Sequence, residues 1–325
     1  MKIAVMAAGG IGGYYGGILA KDGHEVTFVA RGDHLRAIRE QGLHVTSTDD
    51  DFTISPARAT DRPSTIGPVD LVIFSVKAYD TVTAVDAIKP IIGPETMVVT
   101  FQNGVDSYGE IARGIGEEHV LAAPTQIVTF IAAPGEIRQI SPFRSIVLGE
   151  MDGRITPRLE QVASLFRPHG VQVTITEDIH MALWIKFMRL ASLGLCSLAR
   201  TAPYDLFQTP EAREILAMAM EEVRAVGQSE GVDVGPAEVQ SSFDWVLKLK
   251  PGQKPSMLTD LERGNRLEID ALSGAVVRIG KRHNVPTPVH ETVYVGLKPI
   301  DLLHASRREA AAPIAAGAAE AGEAE

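Results

Sequence analysis

The stretch "VMAAGGIGGYYGG", residues 5–17, decides how the chain begins. It continues a short apolar run at 2–7, crosses Gly9 and Gly12, and passes into "YYGGILAKDG", which reads as a helix closing at Gly23. A second run rich in β-branched and aromatic residues, "HEVTFVAR", follows, and then a helix-like "GDHLRAIREQG". Strand-length apolar runs alternating with helical periodicity predict a parallel sheet covered by helices. "DLVIFSVKA" at 70–78 and "MVVTFQNG" at 97–104 are further buried-strand candidates, separated by the helical "TVTAVDAIKPII". Later strands are expected at 119–123, 126–131, 136–140 and 145–149, where mixed polarity points to a sheet edge or an antiparallel extension.

Glycines that follow a strand and open a helix are the setting of a dinucleotide-binding turn, G-x-G-x-x-G. Gly9 and Gly12 fill its second and third glycine positions, and Ala7 stands at the first. The second position lets backbone approach a pyrophosphate, and the third lets helix and strand pack closely. The helix N-terminus adds unpaired N–H groups, so contacts to the cofactor are expected from Ala8, Gly9, Gly10, Ile11 and Gly12. A methyl at Ala7 is tolerable there only if its φ stays negative. At the end of the second strand, an Asp or Glu would accept the ribose hydroxyls of NAD; this chain carries Arg31. A guanidinium there suits a 2′-phosphate and favours NADPH. Lys77, in "SVKAYDT", faces the same crevice as a second positive charge, though by itself it is an ordinary loop lysine.

After about residue 176 the alternation gives way to long helical periodicity, so an all-helical domain is expected to follow the α/β one. "DIHMALWIKFMRLASLGLCSLAR" reads as one long helix, and "SMLTDLERGNRLEIDALSGAVVRIGKRHN" as helical for most of its length. The predicted organisation is a Rossmann-type domain over 1–176, a helical domain over 177–308, and a low-complexity tail over 309–325 that lacks bulky apolar anchors and is expected to be disordered.

The net charge of −10 argues against a broad basic surface for nucleic acid or anionic membrane. The longest apolar stretches are broken by Gln126, Lys186 and Arg189 and fall short of a clean membrane span, and a cytoplasmic location is expected. The single cysteine, Cys196, has no partner for a disulfide and sits in "LGLCSLA", which reads as core packing. His283 and His290 lie in a proline-containing loop without helical metal-ligand spacing, and no metal is expected.

"MKIAVMAAGGIGGYYGG", "SVKAYDT", "QNGVD", "WIKF" and "SMLTDLERGNRLEID", in this order to about residue 300, resemble the ketopantoate (2-dehydropantoate) 2-reductases. That family joins a Rossmann-type domain to a helical domain and reduces a 2-keto acid with NADPH, as in pantothenate biosynthesis. The resemblance implies that Gly9 and Gly12 cradle the pyrophosphate, that Arg31 and Lys77 meet the 2′-phosphate, and that Asn103 lies near nicotinamide and substrate. It makes Lys186 the general acid and puts Ser256 and Glu268 on the substrate. The chemistry suits those types, because a positioned cation that can release a proton both stabilises a nascent alkoxide and completes the alcohol. Each also has a plainer reading: a snorkelling lysine, a solvated helix carboxylate, an N-cap serine.

The chain departs from the pattern at Leu190 and Gly194, where members of the family carry asparagines one and two turns past the lysine. That makes the face more apolar and admits a different 2-keto acid. Arg189 could compensate by clamping the substrate carboxylate, or could be a surface arginine. The partner expected is a small 2-keto acid, with a homodimer left open; a dinucleotide-binding protein without turnover is the reading from another class.

Overall fold

The computed structural model describes residues 1–321 of the 325, with side chains as far as Arg307. The chain divides into two compact units, Met1–Leu183 and Trp184–Glu325. The first opens as β1 (Lys2–Met6), α1 (Gly10–Lys21), β2 (Glu25–Val29), α2 (Gly32–Gln41), then β3 (Leu43–Thr46), β4 (Asp51–Ile54) and β5 (Arg58–Thr60). It continues with β6 (Val69–Phe74), α3 (Thr81–Ile88), β7 (Ile92–Thr100), α4 (Ser107–Ile115), β8 (Val120–Ala122), β9 (Thr125–Gln126), β10 (Thr129–Ala133), β11 (Glu136–Gln139), β12 (Ser145–Leu148), α5 (Pro157–Phe166) and β13 (Gln172–Ile175).

Six parallel strands form the main sheet in the order β5-β2-β1-β6-β7-β8, the doubly wound arrangement the opening alternation predicts. Both faces are covered. Ile3 and Val5 of β1, with Leu71 and Ile73 of β6, join the core under α1 and α2. Ala4 and Met6, with Val72 and Phe74, join the opposite core with Ala84 and Ile111. This explains why these strands read as unbroken apolar runs rather than as alternations.

The expected edge is built differently. Of the later strands only β8 extends the main sheet; β10 and β11 join β3 and β4, and β12 joins β9 and β13, in two small sheets that mix parallel and antiparallel pairs. The expected strand at 126–131 is split between β9 and β10.

The helical part comprises α6 (Ile179–Ser192), α7 (Gly194–Ala199), α8 (Pro203–Leu206), α9 (Pro210–Ser229), α10 (Pro236–Leu247), α11 (Ser256–Glu262), α12 (Ser273–His283) and α13 (Pro288–Ala321). Leu216, Ala219, Met220, Val223 and Val226 give α9 a buried stripe at helical spacing. Buried Glu222 on the same helix accepts N–H bonds from Val289 (2.8 Å) and His290 (3.0 Å), which satisfies the free amino end of α13.

Two expected long helices are broken. The one over 178–200 is interrupted at Leu193. The segment after Ser256 stops at Glu262, with Gly264 at φ +69°, and does not resume until Ser273. Helix α13 runs on to Ala321, through most of the segment expected to lack order, while residues 322–325 lie outside the described residues. Ile179–Ala199 is long and apolar enough to cross a membrane by length and composition alone, contrary to the reading that Lys186 and Arg189 disqualify it; half of its most apolar window is buried inside the protein.

Candidate active site

In the first unit, strand pairing sets Met6, Val29, Phe74 and Thr100 in one row, so β1, β2, β6 and β7 all end at the same sheet edge. The glycine turn leaves β1 at that edge. Arg31 follows β2 by two residues, Lys77 follows β6 by three, and Asn103 follows β7 by three. In doubly wound sheets this edge, beside the central strand, is where ligands bind.

Ala7 takes φ +74°, so the negative φ expected of it is overturned. The backbone around it is fixed from both sides. Ala8 N–H donates to Val29 O (2.9 Å), Ser75 N–H to Met6 O (3.1 Å), and the Ser75 hydroxyl to Ala7 O (3.0 Å). The methyl is thus held in a region that costs an L-residue roughly 1–2 kcal/mol. Replacing Ala7 by Gly removes that strain but adds about 0.4–1 kcal/mol of unfolded-state freedom. Ala7→Gly is expected to stabilise the first unit by about 0.5–1 kcal/mol net, a Tm rise of a few degrees; thermal unfolding that shows no gain would contradict the strain.

Gly9 caps α1, and a Cβ placed on it would meet nothing within 4 Å, so this face of the turn lies open. Gly12 is the reverse: a Cβ there would strike Ala7 O and Ser75 Oγ. A Cβ on Gly10 would come within 2.6 Å of Thr129 O. Ala8 is buried and Ile11 packs against the core, which leaves both to act through backbone. The first turn of α1 carries no acidic side chain. An open backbone, a helix amino end and no competing carboxylate fit a bound diphosphate. Arg31 is exposed at the amino end of α2, and its guanidinium has no partner among the described residues. Lys77 and Asn103 are partly buried.

Two residues that support this edge escaped the sequence reading. The His34 Nε2–H donates to Ala8 O (2.7 Å) while Nδ1 accepts Gly135 N–H (2.9 Å). Burial lowers the His34 pKa, which keeps the ring in the neutral form these two bonds require. Buried Gln102 donates to Val76 O (3.1 Å) and to the Thr81 hydroxyl (2.8 Å), which ties the chain just before Asn103 to the segment around Lys77.

In the second unit, Lys186 lies in α6, where burial brings its pKa down to about 8 against the opposing pull of Glu268. Glu268 is buried in the irregular segment between α11 and α12. Ser256 and Glu268 therefore do not share one continuous helix. Ser256 is the first residue of α11 with Pro255 at the cap position, so the N-cap reading of the serine does not hold; its side chain is exposed and unbonded among the described residues. Arg189 is half-buried rather than a surface residue: its Nε donates to Ser242 Oγ (3.3 Å) and its guanidinium lies over the Trp245 ring at 5.2 Å. Trp184 packs edge-on to Phe187, as a core residue does.

Three other titratable residues have structural surroundings. His290 is buried between Ala219 O and Ser273 Oγ, with its pKa lowered to about 4, and His283 pairs with Glu230. Cys196 is buried, with its thiol pushed up to about 12. Among the described residues no group of three or more His, Cys, Asp or Glu could hold a metal ion.

Comparison with known proteins agrees over both units. Residues 3–153 match the family model "Ketopantoate reductase PanE/ApbA", and residues 178–301 match its C-terminal counterpart. A 2-dehydropantoate 2-reductase of Mesorhizobium japonicum is 33% identical over 315 residues, covering 90% of this chain and 95% of its own. The crystal structure of a PanE/ApbA family ketopantoate reductase from Ralstonia eutropha superposes with a TM-score of 0.86 at 31% identity, covering 94% of this chain and 99% of the other. A D-mandelate dehydrogenase solved with NADH and anilino(oxo)acetate also has a TM-score of 0.86 and covers 94% of this chain and 99% of its own, but at 22% identity it speaks to the fold alone. With the doubly wound sheet, its glycine turn and the helical unit accounted for together, the chain belongs to the ketopantoate reductase family of oxidoreductases.

Proposed function

We propose that the protein reduces a 2-keto acid to the 2-hydroxy acid with NADPH, the first candidate being ketopantoate to pantoate. The observation that carries this reading is Lys186, whose pKa of about 8 leaves it charged at neutral pH yet able to give up its proton. When bound, the reduced nicotinamide supplies the hydride that reaches C2 of the substrate. Lys186 Nζ stabilises the negative charge that builds on the carbonyl oxygen and then protonates it. Glu268 orients the ammonium or holds the new hydroxyl, and Ser256 and Asn103 bind the substrate's polar groups. The Gly9–Gly12 turn holds the diphosphate.

Arg31 and Lys77 select the coenzyme through its 2′-phosphate. Charge-assisted bonds of this kind are worth roughly 1.5–3 kcal/mol. Arg31→Ala is expected to weaken NADPH binding by about 10- to 100-fold and to leave NADH binding unchanged, read by titration of each coenzyme. Equal losses would defeat the assignment.

A second reading, another 2-keto acid, is favoured by a specific observation. A Cβ on Gly194 would stand 2.9 Å from Val293 Cγ1 and 3.1 Å from Ser273 Oγ, so an amide has no room there, and Leu190 offers only hydrocarbon. A site built to hydrogen-bond a substrate hydroxyl rejects the analogue lacking it by about 10⁴-fold, whereas an apolar site does not. NADPH oxidation with a panel of 2-keto acids, including ketopantoate and its analogue without the hydroxyl, tests both. Ketopantoate fastest supports the first, another acid faster supports the second, and no turnover with any leaves only dinucleotide binding.

A further inference from the structure

Five arginines are half-buried among the described residues: Arg144, Arg158, Arg189, Arg224 and Arg266. Four reach a carboxylate, namely Asp49, Glu150, Glu221 and Asp301 respectively. Arg189 reaches none. A guanidinium drawn out of water without a counter-charge is costly, so an uncompensated one calls for an anion that arrives later.

Its surroundings hold it ready for one. The Ser242 hydroxyl, fully buried, accepts from Nε, and the Trp245 ring lies beneath the guanidinium plane. Those two contacts fix the orientation of the planar fork and leave both terminal nitrogens unbonded among the described residues. An edge with two parallel N–H donors matches the geometry of a carboxylate. Arg189 also stands three residues past Lys186 on α6, a spacing that puts side chains about 5–6 Å apart at Cβ. A 2-keto acid carries its carboxylate on the carbon next to the ketone, so the two groups need binding partners at about this separation. Burial alone lowers the Arg189 pKa, with no acidic residue to offset it.

We infer that Arg189, seated on Trp245 and Ser242, binds the carboxylate of the keto acid whose ketone Lys186 protonates. This rests on the keto acid reductase reading above and holds for either substrate considered there. The clamp acts in the ground state and the transition state alike, so it sets KM rather than kcat.

The test compares the panel's best keto acid with its methyl ester, in the wild type and in Arg189→Met. The wild type is expected to favour the acid by about 10²-fold in KM, and the variant to take acid and ester alike with kcat within a few-fold. Arg189→Lys, which keeps the charge but loses the fork, is expected to raise KM for the acid about tenfold and leave the ester unaffected; it carries the test should the methionine variant fold poorly. An unchanged KM for the acid, or equal losses for acid and ester, overturns the clamp. A wild type inert on every 2-keto acid overturns the reductase reading itself and the clamp with it.

Discussion

Lys186→Ala is expected to lower kcat for keto acid reduction by at least about 10²-fold, the usual scale for losing a general acid, while dinucleotide affinity stays within about twofold of wild type. The two quantities separate because the turn and Arg31 belong to the first unit and Lys186 to the second. The pH dependence follows with a definite sign. Reduction needs the protonated amine, and that form is lost as pH rises through about 8, so kcat for reduction falls above that point and oxidation of the hydroxy acid gains. In Lys186→Ala this inflection disappears. A purely structural lysine predicts something else. Glu268 is buried and pulls on Lys186, and removing one partner of a buried charge pair is destabilising, by roughly 3–5 kcal/mol. Lys186→Met is therefore expected to lower Tm as well as turnover, and adding Glu268→Gln to recover Tm without recovering turnover; a variant that keeps its rate removes Lys186 from the chemistry.

The second large effect contrasts one substitution at two positions three residues apart. Gly12→Ala places a methyl against Ala7 O and Ser75 Oγ, atoms that hydrogen bonds to β2 and β6 hold in place. Backbone cannot yield cheaply there, and overpacking of this kind costs roughly 1–3 kcal/mol. Both stability and dinucleotide affinity are expected to fall, the latter by 10²-fold or more. Gly9→Ala meets open space and has an ordinary φ of −71°, so Tm should be nearly unchanged. The methyl does, however, stand on the face the diphosphate would approach, and affinity should drop by a comparable factor. Calorimetric unfolding and NADPH titration on both variants check this. A Gly9→Ala protein that binds normally would place the diphosphate somewhere else.

The parts of this arrangement legible in the sequence are those where a residue type reports directly on a local constraint. Gly12 is glycine because a strand and a helix meet there, and Lys186 stands out because it interrupts the apolar run "MALWIKFM". Ala7 shows the limit of that logic: the turn needs a positive φ whatever residue occupies it, and bonds to neighbouring strands impose it on an alanine. Strands β3, β4, β5 and β13 went unread because they have three or four residues each and are only partly buried, which gives a weak alternating signal. The break after Glu262 did carry a signal, the "RGN" at 263–265, which helical periodicity on either side outweighed. His34, Gln102 and the seat of Arg189 could not be read at all. Their partners lie as far as 101 and 53 residues away in the chain, and ordinary polar residues give no hint of such contacts.

The most direct measurement of the central claim follows the hydride itself. A reaction run with NADPH deuterated at the transferring C4 position and the panel's best 2-keto acid should yield a 2-hydroxy acid one mass unit heavier, with the label on C2 and at most about a hundredth as much in the Lys186→Ala reaction over the same interval. Unlabelled hydroxy acid, or labelled product formed as fast without Lys186, would contradict the account.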